Sequence, residues 1–157
     1  MTPNPAEAAR TRTPWRVVHV TAPPATVPFS FTTGMGRLRD HADVVVFDMP
    51  APSARRYLDA LGARVRAGAT LRPGQTLDGL HDHFRFGLVE VVDRAFLADL
   101  GRWDLRRWRD PARPLLQLVW PDLCGTLPWE PGCDLAAGGL RQPLLGTWCR
   151  GPDARRD

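Results

Sequence analysis

Lysine is missing from this chain: all 21 basic residues are arginine. That uniformity fits a GC-rich coding genome better than selection for a cationic surface. The net charge of +4 is therefore weak ground for a nucleic-acid partner, which calls for charge gathered on one face or helix. No apolar run approaches the ~20 residues that span a bilayer. The first 13 residues mix Pro, Ala, Glu and Arg and lack the apolar stretch of a signal peptide. The expectation is a cytoplasmic protein with neither a membrane nor a nucleic acid as partner. A phosphate-cradling glycine loop ending in Lys-Ser/Thr, a dinucleotide fingerprint and a Gly-x-Ser-x-Gly elbow are all lacking. Nucleotide-dependent chemistry and serine hydrolysis are set aside, and no cofactor is expected. Cysteine is scarce and odd in number: Cys124, Cys133 and Cys149. None has the spacing of a zinc ribbon or a redox dithiol, so free thiols are expected. A Cys124–Cys133 bridge would need an oxidising compartment.

What is present suffices for one domain. The chain has 157 residues, 43% of them apolar, which is ordinary for a globular fold. Residues 1–13 read as a disordered lead-in, 14–150 as the domain, and 151–157 as a disordered tail. Alternation and β-branched residues predict strands over 15–20, 28–33, 42–47, 84–92 and 114–120. Ala54, Tyr57, Leu58, Leu61 and Val65 recur at three- and four-residue spacing and share one face of a helix. Pro52 suits its first turn and Gly68 its C-terminal cap. Shorter helices are expected over 93–100 and 103–109, and residues 140–148 are expected to return to the core. No βαβ alternation appears. The predicted class is α+β, a mostly antiparallel sheet on one long helix, with a long Pro/Gly-rich loop over 121–139.

Several constellations could carry chemistry. The loop after the last strand joins Trp120 and Trp129 to the carboxylates Asp122 and Glu130. A carboxyl group beside indole in a dry pocket has its pKa raised and serves as a general acid or base. The same residues could equally start a turn and cap the core. Trp120-Pro121-Asp122 also matches the acid loop of protein tyrosine phosphatases, but neither Cys124 nor Cys133 is followed by five residues and an arginine, and the spacing of Cys149 to Arg155 runs into the tail read as disordered and not into a phosphate cradle, so that reading is rejected. His41 and Asp43 stand two apart at a strand start, where a carboxylate could polarise an imidazole; an exposed turn is the plainer reading. His81 and His83, with His41, would make a three-histidine zinc site. A lone His-x-His is weak, and no metal is assigned. Gln117 interrupts an apolar strand and Gln142 precedes a proline; each is either a pocket amide or a backbone tether. Arg102, Arg106, Arg107 and Arg109 interleave with Trp103 and Trp108, a pattern read as a salt-bridged solvent face.

One resemblance rests on motifs kept in order. They are Leu116 to Asp122, Gly125, Leu127-Pro128-Trp129-Glu130-Pro131-Gly132 and Gln142-Pro143-Leu144-Leu145-Gly146. In the first half, Pro28-Phe29-Ser30-Phe31-Thr32-Thr33-Gly34-Met35 and His41-Ala42-Asp43 belong with them. Over residues 15–148 the chain resembles the bacterial domain-of-unknown-function family 4262, common in actinomycetes. Where that family shows His-Pro-Glu, this chain has Ala42 and Asp43. The resemblance implies no activity.

Two functions follow as expectations. The first is a cofactor-independent acid–base enzyme (isomerase, cyclase, dehydratase or hydrolase) or a small-molecule-binding protein of specialised metabolism. Its proton carriers would be His41, Asp43, Asp122 and Glu130. Its pocket for a small molecule or peptide would be lined by Phe29, Phe31, Gln117, Trp120, Trp129 and Gln142. The alternative is a partner-binding or immunity-type protein whose contact patch is exposed Trp103 and Trp108. A homo-oligomer stays open in both.

Overall fold

A computed structural model describes residues 13–21, 27–38, 40–95, 108, 110, 112–136 and 141–149. Among the described residues six strands form one sheet: β1 (Arg16–Val20), β2 (Phe29–Thr33), β3 (Asp43–Phe47), β4 (Thr76–Leu77), β5 (Phe86–Glu90) and β6 (Leu115–Val119). Their order across the sheet is β1-β2-β3-β6-β5-β4. Every pairing is antiparallel except β3 with β6, which places Val45 opposite Gln117. Both central strands are buried at all five positions. They lie between two covered faces, which is why their sequences run apolar instead of alternating. The edge strand β1 shows the opposite pattern, with Arg16 and His19 exposed.

The helix α1 (Ala51–Arg66) covers one face. Pro52 sits in its first turn, where a missing N–H costs nothing. Its buried positions are Ala54, Tyr57, Leu58, Leu61, Gly62 and Val65. They pack on Trp15, Val44, Val46, Leu88, Leu116 and Leu118. Each fully buried leucine here contributes about 1.5–3 kcal/mol. The chain leaves α1 through Gly68 at φ +109°, whose N–H donates to the carbonyl of Val65.

The other face is covered differently, by separate segments and by Trp108, which is helical. Phe29, Phe31, Val45, Phe47 and Leu115 are closed over by Val91, Trp108 and Leu145. The segment 141–149 returns to the core as expected, and it approaches β5 so closely that a Cβ on Gly146 would lie 1.8 Å from the Glu90 carbonyl oxygen. The α+β architecture is the expected one. β4 and the 3-10 turn Met35–Arg37 are additions that the sequence pattern did not signal. The predicted helices over 93–100 and 103–109 fall largely outside the described residues, as does Trp103. Trp108 is 3% exposed, with its ring edge-on to Phe31 at 4.5 Å. It is therefore core and cannot be half of an exposed contact patch. No helix among the described residues is long and apolar enough to cross a membrane.

Candidate functional site

The loop that follows β6 is organised around Asp122, which is buried. Its Oδ1 accepts the backbone N–H groups of Cys124 at 2.9 Å and Thr126 at 2.8 Å. Its Oδ2 accepts the N–H of Asp134 at 2.9 Å, drawing the far end of the loop back. The N–H donors of Asp134 and Thr126 hold the carboxyl below its ordinary value of 3.8, outweighing the upward push of burial. Of the two readings of this loop, a raised carboxyl and a turn started at Asp122, the bonds are those of the turn: backbone amides and not indole rings surround the oxygens. A depressed folded pKa stabilises the fold above the unfolded value and is lost as pH falls through the folded one. The loop is thus expected to loosen below about pH 4, and Asp122→Asn to remove that acid sensitivity. Amide exchange of Thr126 and Asp134 against pH measures it.

Glu130 serves the same loop. One carboxylate oxygen accepts the Leu127 N–H at 2.8 Å and the other pairs with Arg85. The Cys133 thiol donates to the Thr126 carbonyl at 3.3 Å. Burial, with the Asp122 carboxylate nearby, pushes it up and keeps it protonated. The three cysteines are free thiols.

His41 and Asp43 do not form a dyad. Asp43 is buried at the start of β3, where its Oδ1 accepts the Met35 N–H at 3.1 Å and the Thr32 hydroxyl at 3.3 Å. Its Oδ2 accepts the Trp108 indole N–H at 3.4 Å. The His41 ring turns elsewhere. Its Nε2 accepts the Leu71 N–H at 2.9 Å, so the proton sits on Nδ1 and is donated to the Ala42 carbonyl at 2.9 Å. An imidazole held between two backbone groups ties the segment after α1 to the sheet.

The two glutamines are tethers in this geometry. Gln117 is fully buried; its Oε1 accepts the Leu145 N–H at 2.9 Å and its Nε2 donates to the Pro143 carbonyl. Gln142 answers in reverse, accepting the Trp120 N–H at 3.2 Å and donating to the Trp120 carbonyl. Both copy the two-point bonding of a strand pair. The Trp120 indole N–H donates to the Phe47 carbonyl at 2.8 Å. Phe29 leans on Phe47 at 5.4 Å between ring centres. Trp129 lies on Gly87, which has no side chain to obstruct it, and stacks on Trp148 at 5.0 Å and 7°. The Trp148 Nε1 is buried without a partner among the described residues.

Two open recesses lie elsewhere, and none of the ten predicted residues lines either. The first, about 490 Å³, is bordered by Asp78, His81, Asp82, His83, Phe84, Arg85 and Cys124. The His81 ring lies 4.9 Å from Phe84 and 5.9 Å from His83, and its Nδ1 accepts the His83 N–H at 3.1 Å. Among the described residues no three His, Cys, Asp or Glu side chains are placed to hold a metal ion, so the three-histidine site does not assemble. His81-Asp82-His83 was visible in the sequence; its union with Cys124 comes from the tertiary fold. A second pairing, His19 Nδ1 with the Ser30 hydroxyl at 2.6 Å, went unsignalled. Ser30 is 1% exposed, which leaves a substrate no approach to its oxygen. The second recess, about 700 Å³, runs between β1 and α1.

The model of the family described as Domain of unknown function (DUF4262) matches residues 11–134. No curated protein and no solved structure matches the chain.

Proposed function

The chain belongs to the Domain of unknown function (DUF4262) family, and from that premise we propose that it is a cytoplasmic small-molecule-binding protein whose ligand occupies the recess of His81, Asp82, His83, Phe84 and Cys124. One contrast carries this reading. The four expected proton carriers spend their polar atoms on the fold itself: Asp122 on three backbone amides, Glu130 on Leu127 and Arg85, His41 on two backbone groups, and Asp43 on Met35, Thr32 and Trp108. In the recess the side chains of Asp82, His83 and Cys124 make no hydrogen bond among the described residues.

Two imidazoles, an aromatic ring and two carboxylates suit a small polar molecule that offers both donors and acceptors. Its volume is within the range of small-molecule sites. Any proton exchange with that ligand falls to His81 and His83, imidazole being the commonest general acid–base group. The test is native mass spectrometry of the purified chain beside a denatured control, repeated on His83→Ala with Asp82→Asn after exposure to a mixture of polar metabolites. An added small-molecule mass that falls about ten-fold in the double variant, with unchanged thermal stability, is the expected result. A bare mass in every case, or an adduct indifferent to both substitutions, removes the recess as the site.

A further inference from the structure

The segment between β4 and β5, residues 78–85, is anchored at two points. Leu80 is buried with the core under α1. Phe84 packs against the backbone at Gly125, where a Cβ would lie 3.5 Å from its Cδ1. Between these anchors His81, Asp82 and His83 line the recess.

The charges on that lining are uneven. Its arginine, Arg85, is already opposed by Glu130. Arg64 reaches the edge, where Nη2 donates to the Asp78 backbone carbonyl at 2.6 Å, and it offsets one carboxylate at most. The side chains of Asp78 and Asp82 make no ion pair and no hydrogen bond among the described residues. With histidine counted neutral, the recess keeps an excess of negative charge in a chain whose net charge is +4.

The rings add direction. His81 Nδ1 accepts the His83 N–H at 3.1 Å, so the proton of the neutral ring is on Nε2, which has no acceptor among the described residues. Phe84, half-buried, offers aromatic surface, and a cation over such a ring is drawn to its negative face.

We infer that the ligand class of this recess is an arylalkyl ammonium, an inference that rests on the recess being the binding site. The protonated amine answers Asp78 and Asp82, the aromatic body lies against Phe84, and an oxygen on that body accepts from His81 Nε2. An organic anion would bring its charge to carboxylates that nothing opposes. A metal ion lacks three protein ligands here among the described residues.

Three probes with one ring and one chain separate charge from shape: tyramine is cationic, tyrosol neutral, and the phloretate ion anionic. Each is titrated into the full chain while the imidazole signals are followed by NMR, with His19 and His41, outside the recess, as internal controls. Tyramine should move the His81 and His83 signals. It should bind about five-fold or more tighter than tyrosol, with phloretate weaker still, because a charged donor roughly doubles the strength of a hydrogen bond. Salt should narrow the gap. In Asp78→Asn with Asp82→Asn, both exposed, the advantage of tyramine over tyrosol should vanish at unchanged thermal stability. Equal binding of the three probes, preference for phloretate, or an advantage that survives both substitutions would each overturn the ammonium class while leaving the recess a binding site. If no probe shifts His81 or His83, the class falls as well, and the adduct masses of the native measurement then decide separately whether the recess binds a ligand of another kind.

Discussion

Gln117→Leu is expected to lower the unfolding free energy by about 2–4 kcal/mol, although leucine fills nearly the same space. The loss is in the partners. The Leu145 N–H and the Pro143 carbonyl would stay enclosed with their only observed side-chain partner gone. Each buried group left unsatisfied costs about 1–3 kcal/mol. The damage should reach further, because the Leu145 carbonyl receives the N–H groups of Val92 and Asp93. Urea denaturation measures the energy, and exchange at Leu145, Val92 and Asp93 should accelerate together. A ligand-contacting Gln117 would give the reverse: stability within about 0.5 kcal/mol of the parent and a change confined to binding.

Gly62→Ala should destabilise the protein by about 1–2 kcal/mol net, against the usual trend. In the middle of an exposed helix the same change gains about 1 kcal/mol, since glycine is a poor helix former. Here α1 lies directly on Trp15: a Cβ at position 62 would fall 2.3 Å from the indole Cε2 and 2.6 Å from Cζ2. The ring cannot step aside freely. It is 3% exposed and its N–H is bonded to Asp59. The cross-check is the double variant with Trp15→Leu, in which the alanine should become neutral or stabilising. Strict additivity of the two changes would show that the indole is not the obstacle.

The helix was legible residue by residue. Its five apolar positions at helical spacing are all buried, and the glycine expected to end it does so with positive φ. The strands were legible to within one or two residues, because β-branched runs such as Val44-Val45-Val46 suit a strand covered on both faces. β4 was not, being two residues inside a turn-rich stretch, and neither was the parallel pairing of β3 with β6, which depends on a long-range crossover. The candidate site was least legible. Composition marks Asp122, Glu130 and His41 as capable of proton chemistry, but it cannot show that backbone amides from residues 124 to 134, 127 and 71 take up their oxygens and nitrogen. Gln117 and Gln142 were rightly seen as needing partners, with tether as one of two readings, and the bonds observed are those of tethers.

The paired glutamine clasp also sets an order of assembly. The strand that carries Gln117 leaves the ribosome well before residues 142–145, yet its inner face is completed by them. Until they emerge, a nascent chain has the six described strands, but the aromatic layer of Phe29, Phe31 and Phe47 is covered by Val91 and Trp108 without Leu145. A chain cut at residue 134, where the family match ends, would stop at that stage permanently. It would be a sheet with one face finished and the other covered only in part, and so a ready substrate for chaperones and proteases.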